Sequence, residues 1–332
     1  MAQNTLFFQE RQLNDGQASG ALTKSIINIP KAWAATNRKN AAVTDAKGYL
    51  NTYICKVEVV STDVLSYLYT APENWVLKNG VRKWHLARNA QRAAMFGDLV
   101  GSSTYGKTIR PKLHSGHQRS DNTADFYELI QQRQSAAVTG GDWDFTKMAH
   151  TPATKDDTAT AAINAVEIAD EYFLCLTGQS VLETGGGGTQ HEAGAINKYT
   201  DVSMTESYLL SRRNFGPGGE ESGGVDSEIT PTPSPLVELM ADSSASVEVA
   251  RIMDAEMEQN PPYALQNAGG GIPVDATDLY YAGVLRTTST YGRDSAIIRV
   301  PGGLLECWSV GQGATPLPFW NIEVLGVTRA EG

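Results

Sequence analysis

The stretch Tyr49 to Val60, YLNTYICKVEVV, alternates well in character. Tyr53, Cys55, Val57 and Val59 fall on one side; Thr52, Lys56 and Glu58 fall on the other. A period of two is the signature of a half-buried strand. Strand-like runs return near the other end of the chain, in LYYAGVLRTTS from Leu279, AIIRVPGGLLECWSV from Ala296 and FWNIEVLGV from Phe319. In the last of these Trp320, Ile322 and Val324 share a face. Turn-rich spacers, TYGRDS and GQGATPLP, separate the runs as in antiparallel hairpins. Upstream, SIINIPKAWAAT is apolar and contains Pro30, which suits an edge strand or a strand start. Strands at both ends, without a repeated strand–helix alternation, predict an all-β antiparallel sandwich rather than a doubly wound α/β fold.

The middle of the chain reads differently. Glu73 to Phe96 predicts a helix, with Leu77, Val81, Trp84 and Met95 on one stripe and Lys78, Arg82, His85 and Arg92 on a neighbouring one. Pro72 suits its start and Gly97 its end. A second helical region, Ser234 to Asn260, is interrupted at Asp242 to Ser246 and stops at Pro261-Pro262. Between them, DWDFTKMAH and DEYFLCLTG read as short strands. ETGGGGTQHEAG and NFGPGGEESGGVDSEITPTPSP read as long loops, ordered by neighbouring subunits or lying on the outer surface. No internal repeat appears.

At 332 residues the chain is long enough to bury a large core. Its net charge of −10 argues against a general cationic nucleic-acid binder, although a local basic surface is compatible with it. Cys55, Cys175 and Cys307 form no C-x-x-C pair and lie in apolar runs, so they read as small buried hydrophobes. The start, MAQNTLFFQERQ, lacks the basic and apolar regions of a secretory signal, and no apolar run is long enough to span a bilayer.

Several motifs invite chemistry. GSSTYGKT, Gly101 to Thr108, matches the phosphate-loop pattern G-x-x-x-x-G-K-[ST]. That chemistry needs a buried strand before the loop and a helix after it, whose N–H groups meet phosphate. Here a helix tail precedes and IRPKL follows, so the reading is a glycine turn entering a strand, KTIRPKL. His114 and His117 stand three apart in HSGHQ and offer two ligands to a metal, but no third ligand is fixed nearby; the expectation is a solvated loop and no metal or cofactor. Asp142 and Asp144 flank Trp143 and read as turn or interface carboxylates rather than an acid/base pair.

Charge is strongly segregated. Lys78 to Arg119 holds nine basic residues and one acidic; Glu220 to Glu258 holds ten acidic and one basic. Such polarity suits a building block that pairs with its own copies, or one that turns a basic face to nucleic acid. Lys78, Arg82, Lys83, Arg88, Arg92, Lys107, Arg110 and Lys112 are the candidate assembly or genome-facing residues. Trp75, Trp84, Trp308 and Trp320 are the candidate core or interface anchors.

The order of segments resembles the jelly-roll major capsid proteins of small circular single-stranded DNA viruses, in particular environmental ones. The resemblance rests on the basic helix Trp75 to Met95, YGKTIRP, GDWDFTKMA, DEYFLCLTG, MTESYLLSRR, the segment SPLVELMADSSASVEVARIMDAEMEQNPPY, and the closing VPGGLLECW and FWNIEVLGV, over roughly residues 25 to 328. It implies a non-enzymatic subunit with one antiparallel eight-stranded jelly-roll sandwich over residues 25–332, behind an N-terminal segment 1–24. Helical and loop insertions fall near 73–96 and 183–262. It implies self-assembly into an icosahedral virion shell around single-stranded DNA. A basic N-terminal arm, common in such coats, is missing: residues 1 to 23 carry only Arg11 against Glu10 and Asp15. The competing reading is a carbohydrate-binding or hydrolytic β-sandwich using Asp142, Asp144 or Glu306.

Overall fold

A computed structural model of the chain describes residues 4–9, 22–96, 108–117, 126–133, 136–137, 143–149, 171–183, 198–213, 279–311 and 318–329. In chain order these form β1 (Thr5–Gln9), β2 (Leu22–Asn28), α1 (Ile29–Asn37), β3 (Asn51–Val60), β4 (Val64–Thr70), α2 (Trp75–Phe96), β5 (Tyr127–Glu128), β6 (Gln131–Arg133), β7 (Ala136–Ala137), β8 (Lys147–Ala149), β9 (Glu171–Cys175), β10 (Val181–Glu183), β11 (Lys198–Ser203), α3 (Met204–Arg213), β12 (Tyr280–Arg286), β13 (Arg293–Pro301), β14 (Leu304–Gly311) and β15 (Phe319–Arg329). The protein is mostly β, in three sheets with a few helices.

Sheet I has the order β13-β3-β15-β1-β6-β7, and sheet II the order β12-β4-β14-β2-β5. Successive long strands switch sheets except at β4 and β12: β3 lies in I, β4 and β12 in II, β13 in I, β14 in II and β15 in I. The alternation read from sequence explains why the two sheets meet. Tyr53, Cys55, Val57 and Val59 of β3 and Trp320, Ile322 and Val324 of β15 turn inward. There they share one core with Leu68 of β4, Leu285 of β12 and Leu305 and Cys307 of β14. The turn that carries the chain from β13 in sheet I to β14 in sheet II holds Gly302 and Gly303 at φ +70° and +72°. Those left-handed values favour glycine, which has no Cβ to clash. A Cβ on Gly303 would also sit 2.5 Å from Pro30 Cδ, so the turn and α1 fix each other.

The run around Pro30 departs from the strand expectation after Asn28. Asn28 Oδ1 accepts the Lys31 N–H at 3.1 Å, which caps α1 with Pro30 in its first turn. The N-terminal segment also contributes an element, since β1 pairs with β15 and β6.

A third layer covers the outer face of sheet II. It contains sheet III, of order β10-β11-β9-β8, together with α2 and α3. Its core joins Leu77, Val81 and Trp84 of α2 to Tyr172 and Leu174 of β9, Val202 of β11 and Ile26 of β2. α2 starts where Asn74 Oδ1 accepts the Leu77 N–H at 2.8 Å, two residues after the expected boundary at Glu73. Its Gly80 lies so close to α3 that a Cβ there would stand 2.7 Å from the Met204 carbonyl oxygen. DWDFTKMAH supplies only β8, three residues long, and DEYFLCLTG supplies β9. The segment KTIRPKL is not a strand: from Thr108 onward it crosses between layers, joined to β9 by one isolated bridge, Lys112 with Cys175. All three cysteines are buried and free. Among the described residues no helix is long and apolar enough to cross a membrane. The phosphate-loop glycines, Lys107, most of the two long loops and the second helical region lie outside the described residues.

Candidate functional site

The outer face of sheet II carries a row of three residues in register: Glu306 on β14, Ile26 on β2 and Glu128 on β5. Both carboxylates are buried, Glu306 completely. A buried carboxylate is costly unless donors surround it, and the covering segment Thr108–His117 brings a histidine to each.

His114 Nε2 lies 2.8 Å from Glu306 Oε2, and the indole Nε1–H of Trp308 donates to the other oxygen. His114 Nδ1 accepts the Gly116 N–H at 3.0 Å, so the proton that meets Glu306 is on Nε2. Both ring nitrogens of His114 are therefore used. Its ring also meets Phe126 edge-on at 4.8 Å. His117 is fully buried. Its Nδ1 accepts the Leu113 N–H at 3.1 Å, and its Nε2 stands 3.3 Å from Glu128 Oε2, a contact too poorly aligned for a hydrogen bond. Glu128 is anchored further by Lys31 Nζ at 2.5 Å and Asn28 Nδ2 at 3.5 Å. Burial alone would raise the Glu128 carboxyl; His117 and Lys31 outweigh it and hold the group below its ordinary range. Burial pushes His117 down from its ordinary value, against the pull of Glu128 and with help from His114 and Lys112. The solvated-loop expectation for HSGHQ is thus corrected: these histidines are the buried link between layers.

The backbone of the same segment is tied to the covering layer. Lys112 donates its N–H to Leu174 O, Leu176 donates to Lys112 O, and Thr177 donates to Leu113 O. Lys112 Nζ pairs with Asp201 Oδ1 at 2.6 Å and lies over the Phe173 ring. Burial, then Asp201, pushes the neighbouring Cys175 thiol well above its ordinary value, so it is no nucleophile.

The basic stretch expected on one face is largely turned onto the protein itself. Arg82 is exposed, stacks over Tyr49 at 4.4 Å and donates to its hydroxyl. Lys83 lies over Tyr208, Arg88 Nη1 donates to Thr108 O at 3.1 Å, and Arg110 lies 5.9 Å from the Trp143 ring. Lys78 is half-exposed, whereas His85, expected on the flank, is buried by a wrap against Gly48. The Arg92 side chain and Lys107 lie outside the described residues. Trp84 and Trp320 are fully buried; Trp75 is half-buried against Tyr208, and Trp308 is half-buried beneath Lys24.

Of the carboxylates in the competing reading, Asp142 lies outside the described residues. Asp144 is exposed and accepts the Phe145 N–H. Glu306 is sealed from solvent. Among the described residues no group of three or more His, Cys, Asp or Glu side chains is placed to hold a metal ion. Sequence reasoning missed Glu128 and Lys31 altogether. The available signal was the apolar pair Ile109 and Leu113, which marks Thr108–His117 as buried rather than solvated. Comparison with family models, with curated proteins and with solved structures finds no match for the chain.

Proposed function

We propose that the chain is a structural shell subunit: a jelly-roll capsid protein that assembles with copies of itself into an icosahedral coat enclosing single-stranded DNA. The observation that carries the proposal is the wiring of the sandwich. Sheet II runs β12-β4-β14-β2, with the last long strand of that sheet inserted between the first two, and β3 to β4, β12 to β13, β13 to β14 and β14 to β15 each cross between sheets. That wiring supports a jelly-roll reading, a fold shared by viral coats and by lectin-type binders. The coat reading is favoured over the lectin or hydrolase reading by two facts. Glu306 is locked under a histidine instead of facing a cleft. The chain is charge-segregated, as suits a block that meets its own copies.

Within this proposal the exposed Arg82 and the half-exposed Lys78 of α2 serve subunit contacts. Lys112 and Arg88 act inside the subunit. The site of action is the virion. The test is purification of the full chain, followed by sedimentation and negative-stain imaging. Closed particles far larger than a monomer support the reading, and nuclease-protected DNA within them supports the cargo. A strictly monomeric protein across salt and concentration overturns it. In assembled material, Arg82→Glu with Arg92→Glu shifts the salt dependence of assembly if these cations work at contacts.

A further inference from the structure

We propose that Thr108–His117 is an acid-released latch, in which protonation of His117 frees the segment from the outer face of sheet II. The turn is built on imidazole acceptors. Leu113 gives its N–H to His117 Nδ1 at 3.1 Å, and Gly116 gives its N–H to His114 Nδ1 at 3.0 Å. His117 N–H closes the same turn onto His114 O at 3.0 Å. An imidazolium carries N–H on both nitrogens and accepts nothing. A proton on His117 therefore opposes the Leu113 N–H, donor to donor, in a place that water does not reach.

The surroundings give only partial relief. Glu128 on β5 faces Nε2 and favours the charged ring, but it shares its oxygens with Lys31 of α1 and Asn28 and does not outweigh burial. Lys112 and His114, within the segment, face His117 as well; Lys112 is held by Asp201 of β11 and His114 by Glu306 of β14. Phe145 closes the remaining side, with its ring 5.1 Å away and nearly perpendicular. A third cation beside Lys31 and Lys112 is best accommodated by leaving. Because the segment holds β9 through its backbone and β14 and β5 through its histidines, its release loosens the third layer from the sandwich. The core between sheets I and II makes no use of it.

The direction in pH follows from linkage. His117 binds its proton less readily in the closed form than in the open one. The latch is fully closed above the ordinary histidine value of 6.5 and weakens as pH falls below it, toward the depressed value of the closed form. Between pH 7.5 and 5.5 the opening equilibrium rises, with a ceiling of about tenfold for one histidine.

The experiment is amide hydrogen exchange of the full chain at pH 7.5 and 5.5, corrected for intrinsic rates. The expected result is faster exchange, by up to about tenfold, in peptides covering Thr108–His117 at the lower pH, with β3 and β15 unchanged. In His117→Asn, the Oδ1 can accept the Leu113 N–H and does not titrate in this range, so the acid response disappears. Equal protection of the wild-type segment at both pH values overturns the latch. An undiminished acid response in His117→Asn overturns the role of His117. Should that variant fail to fold, exchange of the His117 C2 proton in the wild type decides: a midpoint below 6.5 is expected, and a midpoint at or above it is fatal. None of these outcomes depends on particle assembly, so the latch and the shell reading stand or fall separately.

Discussion

Trp84 offers the clearest way to ask whether the third layer is a separate unit of stability. Its side chain is fully buried. The indole Nε1–H donates to Ser207 Oγ at 2.7 Å, and the ring meets Tyr172 edge-on at 6.2 Å. Trp84→Ala removes a large aromatic group from a closed core, which costs about 3–5 kcal/mol. The lost hydrogen bond and ring pair place the expected value at the upper end, about 4–5 kcal/mol. Ser207 is not orphaned, because its hydroxyl still donates to Ser203 O at 2.7 Å. Trp84→Phe keeps an apolar ring and loses the hydrogen bond, for about 1–2 kcal/mol. The loss falls on the core that Trp84 shares with Leu77, Val81 and Tyr172, not on the core between sheets I and II. Hydrogen exchange across a urea series therefore shows α2 and β9 opening at lower urea in Trp84→Ala, while β3 and β15 keep their wild-type protection. A loss under about 1 kcal/mol, or a single joint shift of all four elements, refutes the reasoning.

Glu306→Gln places an amide donor against the N–H groups of His114 and Trp308, and urea unfolding should show a loss of about 1–3 kcal/mol; an unchanged midpoint would contradict this pairing. Trp320→Phe should cost under about 1.5 kcal/mol, because the buried Trp320 Nε1 has no hydrogen-bond partner among the described residues, whereas Trp320→Ala should cost about 3–5 kcal/mol. A Phe variant as damaged as the Ala variant, in the same thermal melts, would show that the indole N–H is held. Lys112→Met leaves Asp201 half-sealed beside Cys175 and should cost about 2–3 kcal/mol, less than a fully buried pair because both side chains keep some solvent. Adding Asp201→Asn should recover part of that loss, and a further drop would contradict the pairing.

The legible parts of this fold are those where a local pattern and its burial partner agree. The two-residue period of β3 places Tyr53, Cys55, Val57 and Val59 inside, and the helical stripe of α2 does the same for Leu77, Val81 and Trp84. The run at Pro30 misleads because its apolar residues fit either a strand or a helix. Asn28 followed by Pro30 is in fact a cap and first turn. The histidine–carboxylate site is not legible locally. His114 and Glu306 stand 192 positions apart, and nothing in HSGHQ announces the strand that will cover it. Glu306 is a different failure. The alternation of LLECW correctly turns it away from the sandwich core, but a third layer covers the face on which a charged residue is normally solvated.

The order of strands within the sheets also sets a timetable for synthesis. Among the described residues, β3 pairs only with β13 and β15, and β4 only with β12 and β14. On the ribosome both strands emerge early and have no edge to join. The stretch from Thr70 to Tyr280 takes about 10–40 s to synthesise at elongation rates of about 5–20 residues per second. Throughout that interval the valine-rich Asn51–Val60 is a bare template for pairing with any other nascent chain. Where translation is dense, folding therefore depends on shielding this early strand until β13 and β15 are made, besides the stability of the finished sandwich.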